Sequence, residues 1–189
     1  MTLLVSYWTE GTGYEEEAKG LAESCEKQKV PFRIESVPNL GSWIRNTQYK
    51  PTFLLEVMEE RREPLLWVDA DARIQKPLDL SFLGDDHDFA AHWKRGHELL
   101  SGTLWFNFTA PAIELLGAWK DACAAHDGSG RGFDQRILNA VVPTVPSLRT
   151  YKLPPEYTFI FDIMRRELPN VEPIIEHFQA SRRLRRTIK

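Results

Sequence analysis

Asp69 and Asp71 are the residues whose types and spacing most directly suggest chemistry. They follow Pro64 and the apolar run Leu65–Val68, which is typical of a strand buried on both faces. Residues two apart in an extended chain face the same side. If the strand continues to position 71, the two carboxylates lie side by side at its C-terminal end, where open α/β sheets bind ligands. A divalent cation such as Mg²⁺ or Mn²⁺ would relieve their repulsion and leave coordination positions for ligand phosphates.

Other interpretations of this Asp-x-Asp motif must be weighed. Aspartate also favours turns and helix caps. An EF-hand is excluded, because Arg73 stands where the third ligand should be and no glycine follows. A haloacid-dehalogenase-type phosphatase fits poorly, because its pair lies on the first strand and is not followed by a sequence like 72–74. A two-metal phosphohydrolase or nucleotidyltransferase stays open, because further carboxylates are available at Asp85, Asp86 and Asp88.

Length and charge predict one ordinary globular domain over residues 1–189. The chain is 42% hydrophobic and 27% charged, and its formal net charge is -3, so there is no global attraction to nucleic acid or membranes. Nucleic acid is therefore not an expected partner. The exception is a basic C-terminal tail, which is either a solvated end or a contact for a phosphorylated donor or polyanion. Its residues are Arg182, Arg183, Arg185, Arg186 and Lys189.

Cysteine usage and hydropathy predict a cytoplasmic location. Cys25 and Cys123 lie far apart in helical patterns, which favours reduced, buried thiols over a disulfide framework. Residues 1–5 lack the basic and apolar regions of a signal peptide, and no apolar run is long enough to span a membrane. The sequon Asn107–Thr109 is then expected to stay unmodified.

The order of elements predicts an α/β fold with a mixed, mainly parallel sheet flanked by helices. Strands are expected at 3–8, 31–37, 65–69, 88–93 and 103–108, with later extended segments at 153–161 and 171–178. Helices are expected at 14–28, after Lys50-Pro51, at 111–125 and from Asp134. Gly128–Gly132 is predicted to be a flexible connection. The glycines at 11 and 13 do not form a dinucleotide-binding fingerprint, because Glu16 occupies the third glycine position.

Six features, spread in order over nearly the whole chain, resemble one known family. They are Tyr7-Trp8-Thr9, Arg45 with Lys50-Pro51, Trp67-Val68-Asp69-Ala70-Asp71, Ser101-Gly102-Thr103, Asp134-Gln135 and Ile175-Glu176-His177-Phe178. Together they resemble small GT-A-fold glycosyltransferases of bacterial and phage type, which use nucleoside-diphosphate-sugar donors and are distantly similar to the family-8 enzymes. The resemblance implies a GT-A-like fold and a metal-dependent transfer of a sugar.

The resemblance implies a metal site formed by Asp69, Asp71 and His177. In such enzymes two carboxylates and a late histidine hold a divalent metal, commonly Mn²⁺ with Mg²⁺ as the alternative, on the donor's diphosphate. Imidazole beside two carboxylates suits Mn²⁺ better than Ca²⁺, and the metal neutralises charge on the departing nucleoside diphosphate. The other interpretation of His177 is a satisfied histidine at a strand edge.

Donor-binding residues follow from the same resemblance, with a UDP-sugar favoured. Lys50 and Arg45 lie at or just before a helix N-terminus, where phosphates or the base are met; a solvated helix start is the alternative. Thr9 matches the place that seats the base. Tyr14 either stacks there or belongs to the core.

Further donor contacts are expected at Ser101, Gly102 and His92. Ser101 and Gly102 precede the predicted strand and allow close backbone approach to the sugar, although a simple turn is also compatible with them. His92 is expected to line the sugar pocket.

Asp134 and Gln135 are the candidate catalytic residues. The family places an Asp-Gln pair beside the donor sugar, near the anomeric carbon or the acceptor hydroxyl, but an aspartate opening a helix is also an ordinary N-cap. Glu156 and Asp162 are further candidates for a general base. The chain is shorter than many relatives, and because the missing length usually builds the acceptor side, the acceptor is unassigned. A nucleotide-sugar-binding module without turnover is the second alternative.

Overall fold

The computed structural model describes residues 2–127 and 133–184 of the chain. The predicted Gly128–Gly132 connection and the tail residues Arg185, Arg186 and Lys189 lie outside this part. The strands are β1 (Leu3–Thr9), β2 (Phe32–Val37), β3 (Leu65–Val68), β4 (Ala72–Ile74), β5 (Phe89–Lys94), β6 (Glu98–Phe106), β7 (Thr150–Lys152), β8 (Phe159–Ile160) and β9 (Ile175–His177). The helices are α1 (Tyr14–Gln28), α2 (Trp43–Gln48), α3 (Lys50–Arg61), α4 (Ala110–Ala125), α5 (Asp134–Val141), α6 (Ile163–Glu167) and α7 (Ser181–Leu184).

Six strands form the central sheet in the order β2-β1-β3-β6-β5-β7. Only β6 runs against its neighbours, because it pairs antiparallel with both β3 and β5, whereas the other pairings are parallel. A smaller sheet has the order β4-β9-β8. The predicted α/β fold, with a mainly parallel mixed sheet flanked by helices, is therefore confirmed.

The two faces of the central sheet bury different helices because side chains alternate along each strand. In β3, Leu65 and Trp67 belong to a core cluster that also contains apolar residues of α3, α4 and α5. Leu66 and Val68 face the other way and pack in a cluster with α1, β4 and β9. A strand covered on both faces must be apolar throughout, which accounts for the uninterrupted run before the two aspartates.

Several predicted bounds need correction. Strand β6 begins at Glu98 instead of 103, so Ser101 and Gly102 lie within a strand and not in a turn before it. The segment 153–161 contains a 3₁₀ turn, Pro155–Thr158, before the two-residue β8, and only Ile175–His177 of the segment 171–178 is a strand. The proline-rich sequences Leu153–Pro155 and Pro173 shorten these strands, because proline cannot donate to a ladder.

An irregular register in β6 brings polar residues to one edge of the sheet. Ala91 of β5 pairs with Leu104, but the next residue, His92, pairs with Leu100. The intervening residues 101–103 therefore have no partner in β5. Such a bulge re-aims side chains, commonly beside functional sites. It directs Ser101–Thr103 toward the end of β3.

Two predictions about the rest of the chain are tested here. Cys25 and Cys123 are both buried and unpaired, in agreement with the predicted thiols. Within the ranges 2–127 and 133–184, no helix combines the length and the apolar character needed to cross a bilayer.

Candidate metal and donor site

Two carboxylates and one imidazole converge at the C-terminal edge of the central sheet. Asp69 and Asp71 lie in the turn after β3, and His177 ends β9 of the smaller sheet. One ligand atom from each of the three lies within 4.8 Å of the others. No other group of three or more acidic, histidine or cysteine side chains in the described ranges has such an arrangement. We refer to these three residues as the Asp–Asp–His cluster.

A turn, and not strand alternation, brings the two aspartates together. The strand ends at Val68, so the expectation that extended geometry continues to position 71 is wrong. The Ala72 amide donates to the Asp69 carbonyl at 3.0 Å and closes the turn, while the Asp69 amide donates to the Gly102 carbonyl at 2.8 Å. The turn therefore reverses the chain into β4 and presents both carboxylates on the same side.

Asp71 is buried against the C-terminal segment of the chain. Its Oδ2 accepts a 2.7 Å hydrogen bond from the Ala180 amide, and its carbonyl accepts one from the Phe178 amide at 3.0 Å. Burial, and next the negative charge of Asp69, raise the pKa of Asp71 to about 7. Near neutral pH this carboxyl group is therefore close to half-protonated unless a cation compensates its charge.

Asp69 is more accessible and is held by two donors. Lys50 Nζ and Trp67 Nε1 donate to its Oδ1 at 3.0 and 2.8 Å, and 38% of its side chain is exposed. Burial acts to raise the pKa of Asp69, but the positive charge of Lys50 and these hydrogen bonds outweigh it, so the pKa lies below its ordinary value. Asp69 is thus the ionised member of the pair.

His177 presents one nitrogen to the carboxylates and the other to the protein. Its Nε2 lies 2.8 Å from Thr103 Oγ1, and its Nδ1 lies 4.0 Å from Asp71 Oδ1, beyond hydrogen-bond distance. Burial lowers the pKa of His177 to about 4, although the negative charge of Asp69 acts in the opposite direction. The ring is therefore neutral at physiological pH, and with Nε2 as the donor to Thr103 its Nδ1 has a free lone pair.

The residue beside this nitrogen has to be small. A Cβ on Gly102 would lie 2.9 Å from His177 Cε1, 3.0 Å from its Nδ1 and 3.4 Å from Asp69 Oδ2. Glycine therefore keeps open the space between the imidazole and the carboxylate.

The donor set fits a divalent cation. Two carboxylates and a neutral imidazole suit Mn²⁺, and Mg²⁺ is compatible with the oxygen ligands. The alternative interpretation, a satisfied histidine at a strand edge, accounts for Nε2 but not for Nδ1, which faces the acidic pair without a hydrogen bond to any residue in the described ranges. These three residues could therefore hold a metal ion.

A buried ion-pair network lies beside the cluster. Lys50 Nζ is 2.7 Å from Asp134 Oδ2 and donates to the Ser101 carbonyl at 3.1 Å, while Ser101 Oγ donates to the same Asp134 oxygen at 3.0 Å. Burial acts to lower the pKa of Lys50, but Asp134 and Asp69 outweigh it and raise the pKa above its ordinary value. Lys50 is therefore a charged bridge between Asp69 and Asp134.

The contacts of Lys50 and Asp134 decide between the interpretations that the sequence left open for these two residues. Lys50 begins α3 but is only 3% exposed, so it is not a solvated helix start. Asp134 lies inside the first turn of α5, where Phe133 is the N-cap and no side-chain cap is present. The N-cap interpretation of Asp134 is therefore wrong, and its carboxylate serves Lys50 and Ser101. Gln135 is adjacent, and its Oε1 accepts from the Ser101 amide at 3.2 Å.

A cavity of about 360 Å³ opens over the cluster and the network, a size within the usual range of small-molecule sites. Ten of the predicted site residues line it: Thr9, Tyr14, Lys50, Asp69, Asp71, Ser101, Gly102, Asp134, Gln135 and His177. The structure thus brings together residues from all six sequence features.

Arg45 and His92 are not among the lining residues. Arg45 lies in α2, and its guanidinium donates to the Asp127 carbonyl at 3.2 Å. His92 Nδ1 lies 2.8 Å from the Leu153 carbonyl, so its ring is engaged on the β7 side of the sheet. Their donor-binding roles stay predictions without support from the cavity.

Sequence reasoning missed several lining or supporting residues. Thr103 entered the sequence analysis only as part of the Ser101-Gly102-Thr103 feature and without a role, although a polar residue in the apolar strand β6 was a usable signal. The aromatic pair Trp43 and Phe133, with ring centroids 6.2 Å apart, lines the cavity. Further missed lining residues include Lys94, Glu98 and Leu100 of the β5–β6 hairpin, and Ile160, Ile163, Gln179 and Ser181 nearer the C-terminus.

The carboxylates considered for a second metal lie elsewhere. Asp88 directly precedes β5 at the N-terminal edge of the sheet, opposite to the edge where β3 ends. It is buried and bound by Arg149 and Thr109, and the Arg149 hydrogen bonds lower its pKa to about 2 despite burial. Asp85 and Asp86 come just before it. The structure therefore gives no support to the two-metal phosphohydrolase.

Comparison with known proteins identifies the fold. No protein-family model and no curated protein sequence matches the chain. Among solved structures, it is similar to a glycosyltransferase involved in the glycosylation of the major capsid of PBCV-1, with a TM-score of 0.69, 18% identity, and coverage of 94% of this chain and 92% of that one. It is also similar to the glycosyltransferase GlyE of Streptococcus pneumoniae TIGR4, with a TM-score of 0.61 and 15% identity over 93% of this chain and 54% of that longer one. The GT-A-like fold expected from the sequence is thus confirmed.

Proposed function

We propose that this chain is a metal-dependent glycosyltransferase that moves a sugar from a nucleoside-diphosphate-sugar, with a UDP-sugar favoured, to an acceptor. The observation that carries the proposal is the convergence of Asp69, Asp71 and His177 at the edge of a cavity, within a fold shared with glycosyltransferases. A distant relation to the family-8 enzymes, a single domain over 1–189 and a cytoplasmic location stay predictions from the sequence.

The proposed reaction exchanges one bond at the anomeric carbon of the donor. The bond from that carbon to the phosphate oxygen breaks, and its electron pair leaves with the nucleoside diphosphate. An acceptor hydroxyl oxygen bonds to the same carbon, and its proton is released. No oxidation or reduction takes place.

The Asp–Asp–His cluster would hold the metal; its mixed oxygen and nitrogen donor set favours Mn²⁺, with Mg²⁺ as the alternative. When bound, such a cation supplies positive charge that stabilises a departing diphosphate. The protein itself keeps His177 neutral and Asp69 ionised. Because residue 102 is a glycine, the space between these two side chains stays open. We assign Thr9 and Tyr14 to contact with the nucleoside, because both line the cavity where β1 leads into α1.

Lys50, Asp134 and Gln135 are assigned to the transferred sugar. The Asp134 carboxylate already accepts from Lys50 and Ser101, so it acts as a hydrogen-bond acceptor and as the partner of Lys50. The cavity is lined beside Lys50 and Asp134 by Gln135, Ser101 and Gly102.

The test is release of nucleoside diphosphate from UDP-, GDP- and TDP-sugars with Mn²⁺, before and after chelation with EDTA. The proposal predicts metal-dependent release from at least one donor, and its loss in Asp69→Asn. Binding of a donor without release would instead indicate a module without turnover. If the protein neither binds nor cleaves any of these donors, the glycosyltransferase and the binding module are both contradicted.

A further inference from the structure

The cavity extends from the Asp–Asp–His cluster to the hairpin that joins β5 and β6. Glu98, Leu100 and Gly102 occupy alternate positions of β6, and all three line the cavity. At a rise of roughly 3.3 Å per residue, Glu98 lies at most about 13 Å along the strand from Gly102. Because Gly102 adjoins His177, Glu98 marks a second end of the same cavity, away from the cluster.

Among the described residues, Glu98 has no side-chain partner at this hairpin end. Lys94 stands directly opposite it in the β5–β6 ladder, yet the Lys94 ammonium lies 3.5 Å from Glu167 of α6. Arg95 donates to Glu167 as well, at 2.8 Å. The exposed side chain of Glu98 forms no hydrogen bond or ion pair with residues 2–127 or 133–184. The fold therefore does not require its carboxylate.

The backbone that carries Glu98 is held in an ordered turn. Arg95 and Gly96 have φ values of 52° and 81°, and consecutive residues with positive φ suit tight hairpins. The Gly96 amide donates to the Trp93 carbonyl at 3.0 Å, and the His97 amide donates to the Lys94 carbonyl at 3.3 Å. Glu98 thus stands at the base of an ordered turn.

The chemistry of the hairpin end differs from that of the cluster end. Glu98 would repel a diphosphate, so the anionic part of the donor belongs at the cluster. Lys94 also lines the cavity, so a cationic ligand would meet its ammonium. A hydroxyl group both donates and accepts, which suits a carboxylate and an ammonium together. Leu100, Ile160 and Ile163 add apolar surface that the C–H face of a sugar ring can cover.

We infer that the hairpin end is the acceptor subsite, that it takes a saccharide, and that Glu98 binds the saccharide by accepting hydrogen bonds from its hydroxyl groups. The inference rests on the proposed function. It makes Glu98 a specificity-determining residue for the acceptor, because its carboxylate forms charge-assisted hydrogen bonds only with ligands that carry hydroxyl donors.

The experiment uses the full chain with Mn²⁺ and a donor from which it releases nucleoside diphosphate. Free mono- and disaccharides are then added, and at least one is expected to accelerate release above donor hydrolysis. Glu98→Gln should raise the acceptor KM for that saccharide by about 10-fold or more, the loss expected for a charge-assisted hydrogen bond, and change the donor KM less than about twofold. Glu98→Asp should give an intermediate acceptor KM.

The matched control is Glu114→Gln, which makes the same change at an exposed glutamate of α4 outside the cavity; both KM values should match the wild type. If the wild type releases diphosphate but no saccharide accelerates release, the inference is overturned while the proposed function stands. An unchanged acceptor KM in Glu98→Gln overturns it equally. Absence of release from every donor contradicts the proposed function and, with it, the inference.

Discussion

Thr103 Oγ1 lies 2.8 Å from His177 Nε2, and both side chains are buried. This contact sets which nitrogen of the imidazole faces the acidic pair. Because the ring is neutral, a proton on Nε2 that is donated to Thr103 leaves Nδ1 as the ligand. Partners of this kind orient metal-binding histidines and raise their basicity.

Removing the Thr103 hydroxyl should weaken the metal site. Thr103→Val keeps the shape of the side chain but removes the partner of Nε2, and we expect Mn²⁺ affinity to fall by roughly 10- to 100-fold. Thr103→Ser keeps a hydroxyl and should retain most of the affinity. Calorimetric titration of Mn²⁺, on variants shown to be folded by circular dichroism, measures the effect. Equal affinity in the valine and serine variants would show that Thr103 does not position the ring.

Gly102→Ala tests whether the open space beside the imidazole is needed. The added Cβ would contact His177 Nδ1 at 3.0 Å and approach Asp69 Oδ2 to 3.4 Å, so it narrows the space between the two proposed ligands. In a close-packed site with little room to relax, we expect Mn²⁺ affinity to fall by about 10-fold or more.

The matched control for this variant is Gly117→Ala in α4. A Cβ there meets no atom within 4 Å, and the change should stabilise the helix by about 0.5–1 kcal/mol without affecting Mn²⁺ affinity. If Mn²⁺ binds Gly102→Ala as tightly as it binds Gly117→Ala, the metal site lies elsewhere.

Local patterns in the sequence were sufficient for much of the fold. Helix α1 spans the predicted residues 14–28, because its apolar positions recur at helical spacing and its acidic first turn suits the helix dipole. The apolar run before Asp69 likewise indicated a strand covered on both faces. The proximity of His177 to Asp71 was predicted from the family resemblance, because no local pattern around His177 indicates which distant residues it faces.

What the sequence could not supply depends on contacts between distant segments. The pairing of Lys50 with Asp134 joins the starts of two helices, and each residue alone has the pattern of an ordinary helix terminus. The bulge at 101–103 depends on how β6 pairs with two different strands. The predicted donor contact at His92 was based on its place near a strand end, but its ring is turned toward Leu153.

Metal affinity should depend on pH through Asp71. Its pKa of about 7 means that a proton competes with the cation below neutrality, whereas His177, with a pKa of about 4, is already neutral. We therefore expect Mn²⁺ affinity to rise by about tenfold per pH unit up to about pH 7 and then to level off. Titrations between about pH 5 and about pH 8 measure the slope. Affinity that does not change over this range would show that Asp71 is not a ligand.

Asp71→Asn should separate the metal site from the stability of the fold. The folded-state pKa of Asp71 is raised, so without metal this residue's contribution to stability is complete at low pH and declines as pH rises through about 7. Asparagine does not titrate and can still accept from the Ala180 amide. In EDTA, the variant should therefore gain roughly 1–3 kcal/mol relative to the wild type between acidic pH and about pH 8.

Adding Mn²⁺ should stabilise the wild type more than Asp71→Asn. The wild type is expected to gain about 2.7 kcal/mol when the metal concentration is 100 times its Kd, and Asp71→Asn should gain little. Urea unfolding with and without metal measures both effects. A variant that Mn²⁺ stabilises as much as the wild type would contradict the assignment of Asp71.

The buried pair of Lys50 and Asp134 predicts strong non-additivity. Their side chains are 4% and 5% exposed and lie 2.7 Å apart, so Lys50→Met removes the cationic partner of the buried Asp134 carboxylate, at a cost of about 3–5 kcal/mol. Adding Asp134→Asn removes that charge, and the double variant should be more stable than the sum of the single changes implies by about 0.5–3 kcal/mol. Urea unfolding in EDTA gives the three values without a contribution from metal binding. If the effects of the two substitutions simply add, the ion pair between Lys50 and Asp134 does not contribute to stability.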